Sequence, residues 1–130
     1  MTAGEIMTSP VLATTSHASV RDIATKLVMN EISGMPVADR AGKVLGVITA
    51  GDILAVLTEG KSLEAMTAGE IMSKDPITVD IGATMAEVMK LLNEEGILRV
   101  PVTDGGKLVG IISREDIISA ALEGEFLAFE

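Results

Sequence analysis

The chain has 130 residues, 48% of them hydrophobic, with a mean hydropathy of +0.45 and a formal net charge of -9. A sizeable aliphatic core is available, but Tyr and Trp are absent and Phe occurs only twice, so platforms for stacking single-stranded nucleic acid are missing, and the negative charge opposes phosphate backbones and anionic membrane surfaces alike. The absence of Cys excludes disulfides, thiolate chemistry and cysteine-based metal sites.

In chain order, the N-terminal "MTAGEIM" lacks the basic region and long apolar stretch of a signal peptide, and no apolar run reaches transmembrane length. A cytoplasmic protein is expected, without nucleic-acid or membrane partners. "TAGEIM" (2–7) predicts a short helix and "VLAT" (11–14) a short strand. Ser19 and Asp22 have capping-box spacing at the start of an amphipathic helix. Its apolar positions Val20, Ile23, Ala24, Leu27 and Val28 follow the i, i+3, i+4, i+7 rule of a core-facing stripe. "MPVAD" (35–39) predicts a strand and "DRAGK" a turn. "KVLGVIT" (43–49) is a continuous apolar run, as for a strand buried on both faces, and "AGDILAVL" (50–57) predicts a second helix.

After "TEGKSLEAM" (58–66), read as a linker with partial helical character, the order begins again. "TAGEIM" recurs at 67–72, an offset of 65. Val20 falls on Met85, Ile23 on Val88, Leu27 on Leu92, Pro36 on Pro101 and Asp39 on Asp104. One deletion in the turn, "DGGK" for "DRAGK", shortens the offset to 64, so Gly46 meets Gly110, Thr49 meets Ser113 and Asp52 meets Asp116. The second copy has "ITV" (77–79), a helix capped by Thr84 and Glu87, and the strands "VPVTD" and "KLVGIIS". The expected domains are repeat 1 over 1–58, a linker over 59–66, and repeat 2 over 67–130 with a C-terminal helical tail. The fold class is α/β, with the order β-α-β-β-α written twice. A unit of roughly 55 residues is near the lower limit for burying its own core. Two repeats packed sheet to sheet about a pseudo-two-fold axis solve that problem.

The repeated phrases "GVITAGD" (46–52) and "GIISRED" (110–116) carry the candidate chemistry. Thr49 and Ser113 stand where a strand meets a helix, and a helix N-terminus offers amide donors and a positive dipole to phosphate oxygens. Asp52 and Asp116 fall in the first helical turn. A carboxylate only accepts hydrogen bonds, and a ribose diol offers two donors. The same spacing is also a capping box, as at Ser19–Asp22, so both readings stand. Arg114 follows Ser113, and Arg99 precedes Val100-Pro101, where repeat 1 has Ala50 and Gly34. The two arginines are either phosphate partners or solvated surface charges.

The tandem strand, Pro-Val, Gly turn, G-x-[IV]-[ST]-x-x-D and helix resemble a pair of cystathionine-β-synthase (CBS) domains, the arrangement called a Bateman module. The resemblance covers nearly the whole chain. It implies binding of an adenosine-containing ligand, AMP, ADP, ATP or S-adenosylmethionine, in clefts between the repeats, with no required cofactor. It also implies sensing rather than catalysis, and association into disc-shaped dimers. Carried over by position, Thr78 and Val79, with Ala13 as the repeat 1 counterpart, would hold the adenine. Val100, before Pro101, and Met35, before Pro36 in repeat 1, would give the base apolar cover, the prolines being counted among the ligand-binding residues. Ser113, Arg114, Arg99 and Asp116, with Thr49 and Asp52, would hold phosphate and ribose.

Other features read as structure. His17 is a loop residue, the eight Met residues are mostly core packing, the acidic residues lack calcium-loop spacing, and "GGK" (105–107) is a turn. No metal site is expected. The competing functions are a ligand-free interaction module that docks on a partner protein and, more remotely, an enzyme resting on carboxylates alone. Adjacent apolar pairs on the second helix of each repeat, Ile53-Leu54 with Val56-Leu57 and Ile117-Ile118 with Ala121-Leu122, form stripes wider than one core contact needs. These stripes, extended by Phe126, Leu127 and Phe129, predict a homodimer.

Overall fold

The protein is described by a computed structural model over residues 1–128, with side chains through residue 124. Two three-stranded sheets and their helices make two compact units: a central unit, Leu12–Pro76, and a terminal unit, in which Met1–Val11 joins the chain from Ile77 onward.

In the central unit, Ser19 accepts the Asp22 amide at 3.2 Å and starts α2 (Val20–Met29), the longer of the first two helices after α1 (Ala3–Ile6). Val20, Ile23 and Leu27 are buried with Met35, Val37, Ile48 and Ile53. Val28, expected on the same stripe, is 78% exposed. It lies roughly 80° around the helix from Val20, past the edge of the buried seam. Strands β1 (Gly34–Ala38) and β2 (Val44–Thr49) pair antiparallel, from Gly34 opposite Thr49 to Ala38 opposite Val44. Asp39 Oδ1 accepts the Ala41 and Lys43 amides, both at 2.9 Å, and closes their turn. Helix α3 (Ala50–Thr58) follows β2 directly. The expected partly helical linker is instead irregular, with turns at 63–65. Helix α4 (Ala68–Ile71) and β3 (Ser73–Lys74) complete the unit, β3 pairing with the outer edge of β2.

The terminal unit repeats this plan with β4 (Val79–Asp80), α5 (Met85–Glu94), β5 (Arg99–Asp104), β6 (Lys107–Ser113) and α6 (Arg114–Ala128). Strand β4 runs parallel to β5, and β5 pairs antiparallel with β6. The missing residue of its turn is visible in the geometry. Gly105 and Gly106, at φ +59° and +83°, form a two-residue hairpin loop that requires the left-handed region twice. Val88, Leu92, Val100, Val102, Ile112 and Ile117 build the core.

Three expectations change. "VLAT" does not form a strand: Thr14 alone bridges Val37, and its repeat 2 counterpart is the two-residue β4. Strand β2 alternates buried and half-buried residues rather than being buried on both faces. The third concerns the "TAGEIM" copies, which are exchanged. Helix α1 belongs to the terminal unit, where the Ala3 amide donates to Ala83 O at 2.7 Å and the Gly4 amide to Ile81 O at 2.9 Å. Helix α4 belongs to the central unit, its Ala68 and Gly69 amides donating to Ala18 O and Ser16 O, both at 2.9 Å. Each leading segment therefore folds with the repeat it does not precede. Glycine makes the seat. A Cβ at Gly46 would lie 2.8 Å from Met72 Sδ, and one at Gly110 2.8 Å from Met7 Cγ. The Met of each "EIM" thus rests on the Gly that opens the [ST]-x-x-D phrase.

Candidate ligand-binding site

The sheet register gathers the candidate residues of each unit at one end of its sheet. In the terminal unit Arg99 stands opposite Ser113 and Val100 opposite Ile112. Val79 is level with Val102 on the parallel strand, so Thr78 is level with Pro101. In the central unit Gly34 stands opposite Thr49 and Met35 opposite Ile48, while the bridge from Thr14 to Val37 sets Ala13 level with Pro36. Thr78 is exposed and Ala13 half-buried. Val79 is buried, and its carbonyl accepts the Thr103 hydroxyl at 3.4 Å.

The residues that the resemblance assigns to apolar cover are buried in this structure. Met35 and Val100 have no exposed surface, and Pro36 and Pro101 are fully buried. Met35 and Val100 are part of the two cores, and Pro36 and Pro101, next to them on the strands, are buried on the opposite face. This placement is fixed by the alternation of the strand, which turns Val100 inward with Val102 on the bulged strand β5.

Both [ST]-x-x-D phrases close as capping boxes. Asp52 Oδ2 accepts the Thr49 amide at 2.8 Å and the Thr49 hydroxyl at 3.0 Å, and the Asp52 amide donates back to Thr49 Oγ1 at 3.3 Å. Asp116 Oδ2 accepts the Ser113 amide at 2.8 Å and its hydroxyl at 3.1 Å, and the Asp116 amide donates back at 3.3 Å. The first amides of the two helices are also committed, Ala50 to Ser33 O at 2.9 Å and Arg114 to Leu98 O at 3.2 Å. Fewer donors face a phosphate than an uncapped helix end would offer. The second amide of each helix, Gly51 or Glu115, has no acceptor within its helix. Capping and binding are compatible, because the box uses one carboxylate oxygen and leaves the other.

Sequence reasoning missed Thr8. Its hydroxyl donates to Asp116 Oδ1 at 3.0 Å. The available signal was a hydroxyl residue directly after each "EIM": Thr8 in one copy, Ser73 in the other.

The arginines differ. Arg99 is half-buried, and desolvation pushes its guanidinium below the ordinary arginine value. A partly dehydrated cation gains more from an anionic ligand than a fully solvated one. Arg114 is exposed and makes no ion pair among the described residues. Its side chain lines a groove of about 370 Å³ between α5 and α6, with Met89, Leu92, Asn93, Ile117 and Ile118. Among the described residues no group of His, Asp and Glu is arranged to hold a metal ion, and no helix is long and apolar enough to cross a membrane.

The chain matches the CBS domain over residues 3–59 and 68–123 and belongs to that family, as a tandem pair. It is 42% identical over 120 residues, 92% of the chain, to the uncharacterised protein MJ0653 of Methanocaldococcus jannaschii, and spans 61% of that relative's length. It is 30% identical over 119 residues to the A-adding tRNA nucleotidyltransferase of Aquifex aeolicus, of which it spans 14%. Among solved structures, CBSX2, a CBS-pair protein of Arabidopsis thaliana, in its complex with AMP superimposes with a TM-score of 0.85 at 29% identity, covering 95% of this chain and 98% of the other. The CBS domain pair of MJ0100, in complex with 5-methylthioadenosine and S-adenosyl-L-methionine, gives 0.83 at 30% identity, covering 96% and 98%.

Proposed function

We propose that this protein is a regulatory module, without catalytic activity of its own, that binds an adenosine-containing ligand: AMP, ADP, ATP or S-adenosylmethionine. The reading is carried by one observation. In each unit a carboxylate, Asp52 or Asp116, is held at the strand-to-helix junction through one oxygen; the other takes no donor among the described residues at Asp52 and takes the Thr8 hydroxyl at Asp116. A fixed carboxylate oxygen suits a ribose diol. The similarity to CBS pairs with bound AMP, methylthioadenosine and S-adenosylmethionine supports the adenosine class. Arg99 and Arg114 supply the phosphate contacts in the terminal unit, since the amide and hydroxyl of Ser113 are both given to Asp116. The central unit, with Ala50 and Gly34 in the matching places, suits an uncharged adenosyl group better. Thermal-shift titration with AMP, ATP and S-adenosylmethionine tests the reading. Ligand at a hundred times its Kd raises stability by about 2.7 kcal/mol. No shift with any of them would leave the carboxylates as caps alone.

We also propose that the module is a cytoplasmic homodimer. Leu54 and Leu57 on α3, and Ile118 and Leu122 on α6, are each more than half exposed, while their neighbours Ile53, Val56, Ile117 and Ala120 are buried. Each helix thus has a second apolar face beyond the one its own core uses. The side chains of Phe126, Leu127 and Phe129, expected to extend these faces, lie outside the described residues. A partner protein seated on the same faces is the second reading, and light scattering on the isolated chain separates the two.

A further inference from the structure

We propose that Thr8 is a latch that competes with the ligand for Asp116 and makes the two sites unequal. The proposal rests on the reading of Asp52 and Asp116 as acceptors of a ribose diol.

Each carboxylate oxygen has two acceptor positions. In both units the capping oxygen is filled, since it takes an amide and a hydroxyl from the same residue. The remaining oxygen decides what the site can hold. Asp52 Oδ1 receives no donor among the described residues, so both its positions are open to the two hydroxyls of a diol. Asp116 Oδ1 already receives the Thr8 hydroxyl at 3.0 Å and has one position left. A vicinal diol can engage Asp116 fully only if Thr8 lets go.

The latch is held by its backbone. The Thr8 amide donates to Ile111 O at 2.8 Å, and the Ile111 amide donates back to Thr8 O at 3.1 Å. Met7, the residue before it, is seated on Gly110. The equivalent residue in the central unit is Ser73, paired with Val47 on the outer edge of β2. Its backbone has the same place, yet its hydroxyl does not reach Asp52. The difference is in the side chain. Threonine is β-branched and stiff about χ1, so its hydroxyl stays where the strand aims it, whereas serine rotates freely. The sequence copies share the hydroxyl and differ by the methyl group beside it.

The test uses the full chain with Asp52→Asn, which isolates the Asp116 site, and AMP as probe by titration calorimetry. Adding Thr8→Val removes the donor and keeps the branched shape; Thr8→Ser keeps the donor. Thr8→Val is expected to tighten AMP binding roughly 2- to 10-fold over the Asp52→Asn parent, the equivalent of one net hydrogen bond. Thr8→Ser should lie between the two, and 2′,3′-dideoxy-AMP should bind the parent and Thr8→Val equally. Circular dichroism confirms that each variant is folded. AMP binding that is unchanged or weaker in Thr8→Val overturns the latch, and a weakening restored by Thr8→Ser assigns Thr8 instead to orienting Asp116. If Asp116→Asn in the same background leaves AMP affinity unchanged, the ribose reading itself fails. Absence of saturable AMP binding in every variant overturns both.

Discussion

Replacing Gly46 by Ala sets a methyl carbon 2.5 Å from the Ser73 carbonyl oxygen and 2.8 Å from Met72 Sδ. Ordinary contact begins near 3.4 Å, so the Ser73 backbone must retreat by about 0.9 Å. Ser73 lies in β3, which is held to β2 over only two residue pairs. Overpacking of this kind costs about 1–3 kcal/mol, and each strand hydrogen bond lost about 0.5–1.5 kcal/mol. Against this, Ala in a strand recovers about 0.5–1 kcal/mol relative to Gly. The loss wins, and Gly46→Ala should destabilise by roughly 1–3.5 kcal/mol. At Gly110 the neighbour is the flexible Met7 side chain rather than backbone. Rotation relieves the contacts of Met7 Sδ and Cγ but leaves Met7 Cβ at 3.1 Å, so Gly110→Ala should cost less than Gly46→Ala, about 1 kcal/mol. Urea unfolding followed by circular dichroism reads both. Equal losses, or a tolerated Gly46→Ala, would refute the claim that the exchanged leading segments are seated on these glycines.

Asp116→Ala removes both the helix cap and the bond to Thr8, and should cost about 1–3 kcal/mol, more than Asp52→Ala, in thermal melts of the free protein. Ile112→Ala and Ile48→Ala, at fully buried positions, should each cost about 2–5 kcal/mol, whereas Val28→Ala should fall within about 0.5 kcal/mol. Arg99→Met should weaken AMP binding by about 1–3 kcal/mol and adenosine binding much less in calorimetry; equal losses would contradict a phosphate role. Leu54→Glu or Ile118→Glu should give a monomer by light scattering while the unmodified chain is a dimer, and a monomeric unmodified chain would reject the proposed interface.

The helices were legible because their signals are local. Ser19 and Thr84 cap where the spacing says they should, and the seam of α2 falls on Val20, Ile23 and Leu27 as the 3.6-residue period requires. The turn read at "GGK" is likewise present, as the hairpin loop of Gly105 and Gly106. What the sequence hid depends on contacts between distant residues. Nothing within "TAGEIM" says that it will pack on the other repeat's glycine, because the two copies are alike and either pairing satisfies the pattern. Thr8 was invisible for the same reason: it is 108 residues from Asp116, and only the exchange brings them together. The burial of Val100 and Met35 depends on which strand face meets the core, and their place before Pro101 and Pro36 does not state it. Thr49, Ser113, Asp52 and Asp116 do stand at strand-to-helix junctions, but spacing alone does not say which carboxylate oxygen the cap takes.

The central claim is that a capped carboxylate at each strand-to-helix junction serves an adenosine ligand. Calorimetric titration of the unmodified chain and of the Asp52→Asn, Asp116→Asn double variant with AMP, ATP and S-adenosylmethionine tests it most directly. The account requires saturable binding of at least one of these by the unmodified chain, and its loss by at least tenfold, about 1.4 kcal/mol, in the double variant. Equal affinity in the two proteins, or no binding in either, would contradict it.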